Sequence, residues 1–130
     1  MKKQAFNPFL PGYEYVPDGE PYVFDGRVYV FGSHDCFNGK EFCMNDYVCW
    51  SAPVDDLGNW KYEGVIYKKT DDPSNPKGKK RLYAPDVQIG TDGITCTTPL
   101  ITPVRCQLRF AILPQDTIRF MAECRPRRDM

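Results

Sequence analysis

The stretch PDGEPYVFDGRVYVFGSHD, Pro17–Asp35, contains the strongest signals for the fold of this chain. It opens with a Pro-Asp-Gly turn signal and contains two runs rich in aromatic and β-branched residues, Tyr22–Phe24 and Val28–Phe31. Asp25-Gly26 lies between the runs, and an Asp-Gly pair in that position is a strong signal for a two-residue β-hairpin turn. The stretch therefore predicts a hairpin with Asp18 at its entrance.

A weaker copy of this unit follows 68 residues later. In Ala84–Ile89 a Pro-Asp pair again precedes an apolar run, and Asp92-Gly93 follows as the next turn signal. Asp86 occupies the same place in the copy as Asp18 does in the first unit. Two copies of one unit predict a repeat architecture.

Short runs of strand-forming residues fill the interval between the two copies. The predicted strands are Tyr22–Phe24, Val28–Gly32, Tyr47–Ser51, Lys61–Tyr67 and Asp86–Ile89. Four strands before the repeat restarts correspond to one blade of a β-propeller, with a β-sandwich as the alternative. The spacing exceeds the ~40 to 50 residues of common propeller repeats. The excess falls in two loops, 36–45 and 70–80, and the second is charged, rich in proline and predicted to be solvated.

Composition favours one all-β domain. The 130 residues are 42% hydrophobic and 14% aromatic, and the net charge of zero gives no indication of a nucleic-acid partner. The N-terminus lacks the apolar run of a signal peptide, and no stretch approaches the ~20 apolar residues of a membrane span. We therefore expect a cytoplasmic protein with no membrane partner.

Six cysteines are expected to be free thiols, because no export signal places them in an oxidising compartment. Cys36, Cys43 and Cys49 lie near His34, but six and five residues separate them, which does not match a zinc knuckle. We predict no metal site built from these thiols.

The composition changes abruptly after Gly93. All ten glycines and both tryptophans lie at or before this residue, whereas residues 94–130 carry six arginines and three cysteines. Back-translation in a shifted frame, from the last base of the Gly93 codon, permits HYLYYASDNTSQVSVAVCDTPAGHYQVYG, which supplies the strands that the repeat requires and that Ile94–Pro99 as written does not. We therefore divide the chain into a domain portion, 1–93, and a frameshifted, poorly ordered tail, 94–130. A natural tail and a chance match are the alternatives.

Several separate motifs, in order over residues 7–93, resemble glycoside hydrolase family 43. They are Asn7–Gly12, Val16–Pro21, Gly32–Asp35, Tyr47–Ser51, Gly58–Trp60 and Tyr83–Val87. The resemblance implies a truncated five-bladed β-propeller, with the first blade and the start of the second in this chain. It also implies inverting cleavage of α-L-arabinofuranosides, β-D-xylosides or arabinans.

The resemblance also implies the catalytic residues. Asp18 matches the general base of the family, and Asp86 matches the aspartate that orients the general acid and tunes its pKa. The acid itself is a glutamate of a later blade, which the chain is not expected to reach, since Glu123 lacks the surrounding motif. Many members have Asp-Pro-Ser where this chain has Asp18-Gly19-Glu20, which leaves the substrate open. Without the resemblance, both Pro-Asp pairs would be interpreted as turn-forming residues with no catalytic role.

Residues near the catalytic pair are candidates for sugar contacts. By resemblance, His34 and Asp35 contact sugar or help to bind a calcium ion in the propeller channel, although a histidine beside a turn is often structural. Phe37, in a loop, is predicted to stack on a sugar ring, whereas Trp50 and Trp60 are predicted to be core. No other cofactor is expected.

Three functions are compatible with these sequence patterns. The first is a glycosidase that acts on an oligosaccharide or a glycoside derived from plant cell walls. The second is a non-catalytic carbohydrate-binding fragment, and the third is the inactive product of a damaged reading frame. The 130-residue chain is expected to be inactive by itself, because an inverting glycosidase needs a base and an acid on opposite sides of the sugar.

Overall fold

The computed structural model describes residues 7–90, 93–97, 104–113 and 117–126, with side chains described for residues 7–85. Four consecutive strands form one antiparallel sheet in the order β1-β2-β3-β4. Their bounds are β1 Glu20–Phe24, β2 Arg27–Gly32, β3 Tyr47–Pro53 and β4 Lys61–Tyr67. All four strands were predicted from the sequence, and the meander has the strand count and neighbour order of a propeller blade.

The β1–β2 hairpin turns at Asp25-Gly26, as the sequence predicts. Phe24 pairs with Arg27, which leaves two residues in the loop. Asp25 and Gly26 have φ angles of 50° and 70°. Positive φ at both central residues is the signature of a type I′ turn, whose twist matches that of the flanking strands.

One face of the hairpin is aromatic. The four rings on it are those of Tyr22, Phe24, Tyr29 and Phe31. Tyr22 pairs directly with Tyr29 across the strands. The rings of Phe24 and Tyr29 stack with centroids 4.0 Å apart and planes 5° apart. Because successive strand residues face opposite sides, this stack leaves Val28 and Val30 for the other face.

That other face forms an open, largely apolar groove of about 660 Å³. Residues lining it include Phe9, Val16, Val28, Val30 and Trp60. The N-terminal segment is therefore folded back against the sheet, and Val16 is only two residues before Asp18. Packing of this segment places the entrance of the hairpin on β2.

The third strand is the centre of the core. Its residues from Tyr47 to Ala52 are all buried. Ser51, fully buried on this strand, accepts hydrogen bonds from the Arg27 guanidinium at 2.8 and 3.2 Å and donates to Glu63 at 2.5 Å. Three neighbouring strands are thereby linked by one chain of charge-assisted hydrogen bonds, which satisfies a polar group that would be costly to bury alone.

Two further strand pairs complete the described residues. β5 Asp86–Gly90 pairs with β6 Gly93–Thr97, and β7 Val104–Leu113 pairs with β8 Thr117–Pro126. The described helical structure is a single 3₁₀ turn at Lys69–Asp71, and within the described ranges no helix is long and apolar enough to cross a membrane.

Residues Gly93–Thr97 form a strand. The sequence analysis expected no strand from this segment as written. Ile94, Thr95 and Thr97 are β-branched, and such residues favour extended backbone whatever their origin. Side-chain packing after residue 85 lies outside what the structure describes. The proposed boundary after Gly93 and the frameshifted, poorly ordered tail therefore stay predictions.

Candidate active site

Asp18 lies in an exposed turn that leads directly into β1. Its backbone adopts a left-handed conformation with φ 54°. Aspartate tolerates this region better than most residues because its short side chain hydrogen-bonds locally. The turn therefore presents the Asp18 carboxylate to solvent, where a water molecule can reach it.

Two glycines allow this turn to lie directly on β2. A Cβ atom added to Gly32 would lie 2.3 Å from Val16 Cγ1 and 3.3 Å from the Gly19 Cα. A Cβ atom added to Gly19 would lie 2.9 Å from Val30 Cγ1. No side chain fits at either position without displacing its neighbours, so the turn and the strand are in backbone contact.

The motif Gly32–Asp35 also fixes the turn by hydrogen bonds. The buried Ser33 hydroxyl donates to the Pro17 carbonyl at 3.0 Å. The Asp35 backbone N–H donates to the Tyr15 carbonyl at 2.9 Å. The segment that leads into Asp18 is thus held by residues that directly follow β2, which gives a candidate general base a defined position.

Asp35 has a structural contact as well as its predicted sugar contact. Its Oδ1 accepts the Cys43 backbone N–H at 2.5 Å. In addition, the Asn45 backbone N–H donates to the His34 carbonyl at 3.0 Å. These bonds close the loop 36–45, so Asp35 joins the Asp18 turn to that loop.

His34 is oriented by a carboxylate that sequence reasoning missed. Its Nε2 lies 3.3 Å from Glu14 Oε1, and the Trp50 indole N–H donates to Glu14 Oε2 at 2.9 Å. The Glu14 side chain is 11% exposed. Glu14 adjoins no sequence motif that would have marked it, since its two partners lie 20 and 36 residues away.

The aromatic candidates differ in exposure, and Trp60 is less buried than the predicted core position. Phe37 is 69% exposed, and its ring centroid lies 6.1 Å from that of Tyr15, which is also exposed. Trp50 is 6% exposed and belongs to the core. Trp60 is half-buried in the apolar groove, and its indole N–H donates to the Leu57 carbonyl at 2.8 Å. Among these rings, Phe37 therefore offers the most open flat face.

Asp86 is the first residue of β5, and its side chain lies outside the described residues. The segment that leads to it is anchored by β3, because the buried Tyr47 hydroxyl donates to the Tyr83 carbonyl. The structure therefore gives the backbone position of Asp86 in a strand paired with Thr97.

The loop 36–45 also contacts the segment before Asp86. Arg81 pairs with Glu41 and lies over the Phe42 ring at 5.1 Å. The Phe42 and Tyr83 ring centroids are 6.1 Å apart. The same loop is thus bonded at one end to the Asp18 turn and packed at the other against the approach to Asp86.

The three described cysteines are free thiols, as expected. Burial raises the pKa of the Cys49 thiol well above its usual value, and the nearby Glu63 carboxylate raises it further. A buried, protonated thiol is a poor metal ligand. Among the described side chains, no group of three His, Cys, Asp or Glu could hold a metal ion.

Comparisons with known proteins indicate which proteins this chain is similar to. Over 93 residues, or 72% of its length, the chain is 72% identical to a xylosidase/arabinosidase from Thermoclostridium stercorarium. The match lies in the N-terminal part of the chain and spans 20% of the relative. No family model matches the chain.

Two solved structures share the fold over most of this chain. One is a family 43 β-xylosidase/α-arabinofuranosidase from a compost microbial metagenome, in complex with xylotriose and in a calcium-free form. It superposes with a TM-score of 0.59 at 24% identity, over 88% of this chain and 36% of the other. The RS223 β-xylosidase gives 0.57 at 21% identity, over 87% and 36%.

The predicted resemblance to glycoside hydrolase family 43, over the N-terminal part only, is confirmed. The all-β fold, with a four-stranded sheet that matches part of these propeller enzymes, is confirmed as well. The proteins that the chain resembles are glycosidases, as the sequence predicts. The chain spans less than two fifths of each of these relatives.

Proposed function

We propose that this chain is the N-terminal part of an inverting glycoside hydrolase that cleaves terminal α-L-arabinofuranosyl or β-D-xylosyl bonds. The observation that carries the proposal is the 72% identity to a xylosidase/arabinosidase. The substrate would be an oligosaccharide or a glycoside derived from plant cell walls.

In this mechanism Asp18 is the general base. An inverting enzyme needs a carboxylate that activates water and a carboxylic acid across the sugar, roughly 6.5 to 9.5 Å away. The exposed turn gives Asp18 access to water, and the bonds from Ser33 and Asp35 keep the backbone that precedes it in place. Such fixed positioning contributes to the rate because the reacting groups need not be ordered during the reaction.

Asp86 is proposed to orient the general acid and to raise its pKa. A negative charge nearby disfavours ionisation of the acid, so that it stays protonated near neutral pH. The acid is not assigned to a residue of this chain. We therefore expect the 130 residues by themselves to hydrolyse no aryl xyloside or arabinofuranoside above background.

His34, Asp35 and Phe37 are proposed to contact the sugar. The exposed Phe37 ring offers a flat apolar face, and the imidazole and carboxylate provide polar partners for hydroxyl groups. The calcium ion that the resemblance implies would need further ligands besides His34 and Asp35. The described side chains contain no three-ligand group that fits such an ion.

The proposal is tested in a completed enzyme, made by joining residues 1–93 to the part of the Thermoclostridium relative that follows its matching region. This enzyme should hydrolyse 4-nitrophenyl β-D-xyloside or α-L-arabinofuranoside, and NMR of the first product should show an inverted anomer. Asp18→Asn should lower kcat by about 10²- to 10⁴-fold, because it removes the base and keeps the size of the side chain.

The matched control is Asp25→Asn. Asp25 also has a positive φ, of 50°, in a turn, and asparagine tolerates that conformation. This variant should keep the activity of the parent. Retention of the anomeric configuration, or full activity of Asp18→Asn, would contradict the proposal.

A further inference from the structure

Glu14 is the centre of a largely buried polar group that joins three parts of the blade. Its side chain is 11% exposed, and each oxygen of its carboxylate has one nitrogen partner. Trp50 comes from β3, and His34 follows the end of β2. A carboxylate removed from water is stable only when such donors replace the lost hydration.

The two partners define where the protons are. An indole N–H can only donate, so Trp50 occupies Oε2 as a donor. An ionised carboxylate can only accept, so His34 Nε2 must carry a hydrogen to bond with Oε1 at 3.3 Å. In the neutral imidazole the other nitrogen, Nδ1, then has a lone pair and is an acceptor.

Glu14 also begins the segment that carries Asp18. Its backbone N–H donates to the Pro11 carbonyl at 2.9 Å, and the next residue, Tyr15, accepts the Asp35 backbone N–H. Fixing the Glu14 side chain on β3 therefore fixes both His34 and the approach to the Asp18 turn. A single carboxylate couples a candidate sugar contact to the candidate base.

We propose that Glu14 is a positioning residue that holds His34 in the Nε2–H tautomer, so that Nδ1 accepts a hydrogen bond from a sugar hydroxyl. The sugar part rests on the function proposed above. The tautomer does not, since it follows from contacts within the blade. A failure of Asp18 as the base would therefore leave the tautomer unchanged, and the two results can be told apart.

The chain contains one histidine, which makes a direct test possible. Labelling histidine with ¹⁵N gives one pair of imidazole signals, whose shifts identify the protonated nitrogen. The spectrum is recorded about two pH units above the ordinary histidine pKa of ~6.5. We expect a protonated Nε2 with a slowly exchanging proton and an unprotonated Nδ1. A protonated Nδ1, or an averaged pair of signals, would overturn the proposal.

A variant then assigns the effect to Glu14. Glutamine at this position has one acceptor oxygen and one NH₂ donor, so it cannot present an acceptor to both His34 and Trp50 at the two positions that the carboxylate oxygens occupy. Glu14→Gln should make the Nε2 proton exchange rapidly with water. Glu41→Gln, the same change at a carboxylate paired with Arg81, should leave it slow. Equal spectra for the two variants would contradict the assignment, and the unaltered chain decides the tautomer even if a variant fails to fold.

Xylotriose is the probe for the sugar contact. A hydroxyl that donates to Nδ1 should move the Nδ1 signal and leave Nε2 protonated. The signal is followed to the solubility limit of the sugar, with maltotriose as the control for non-specific effects. An Nδ1 signal that does not move, or that moves equally with both sugars, would overturn this part of the proposal.

Discussion

The two Pro-Asp units of this chain have the same local signal but different backbones and different supports. Asp18 precedes its strand in a left-handed turn, whereas Asp86 is itself the first residue of β5. The first is held by residues of its own hairpin, through the Ser33 bond to Pro17. The approach to the second is held from β3, through the Tyr47 bond to Tyr83. A repeated motif therefore predicts a repeated strand, but it does not predict how each aspartate is supported.

The largest effect on the first unit is expected at Gly32. In Gly32→Ala the new methyl group would lie 2.3 Å from Val16 Cγ1, and the nearby Gly19 backbone limits how far it can move. The turn should be destabilised by about 2 kcal/mol, since overpacking of this kind typically costs 1 to 3. Hydrogen exchange of the amides around Asp18, measured by mass spectrometry, should become faster.

Gly12→Ala is the control for Gly32, because no atom lies within 4 Å of an added Cβ there. It should leave exchange unchanged. Exchange around Asp86 should also stay unchanged in Gly32→Ala if the two units have separate supports. Equal acceleration at both aspartates would contradict that separation.

Two substitutions that each remove one hydroxyl group, one near each aspartate, should have smaller effects. Ser33→Ala removes the donor to Pro17, and Tyr47→Phe removes the donor to Tyr83. Each leaves a carbonyl without its partner, which should cost about 1 kcal/mol locally. Ser33→Ala should speed amide exchange before β1, and Tyr47→Phe should speed it before β5. If either variant affects both segments alike, the two supports are not independent.

Local signals account for most of what the sequence predicts correctly. The Asp25-Gly26 turn and the β-branched and aromatic runs of the four strands depend on near neighbours in the chain. The exposure of Phe37 follows from its place in a loop. These features need only local conformational preference and alternation, which a single sequence carries.

Contacts between distant residues account for what the sequence does not predict. Glu14 resembles any surface glutamate until folding brings Trp50 and His34 to it. The loop 70–80, predicted to be solvated, contains a buried residue whose amide bonds twice to the Lys80 backbone, at 2.9 and 3.0 Å. That residue is Asn75. Such partners depend on tertiary packing and have no sequence spacing to reveal them.

The pH dependence of kcat in the completed enzyme tests most directly the claim that the two aspartates have different roles. Asp18→Asn should lower kcat by about 10²- to 10⁴-fold at every pH, because no base remains. Asp86→Asn should keep part of the activity. Its kcat should begin to fall at a lower pH than in the parent enzyme, because loss of the negative charge lowers the pKa of the general acid. An unshifted high-pH limb in Asp86→Asn, or parental activity in Asp18→Asn, would contradict the account.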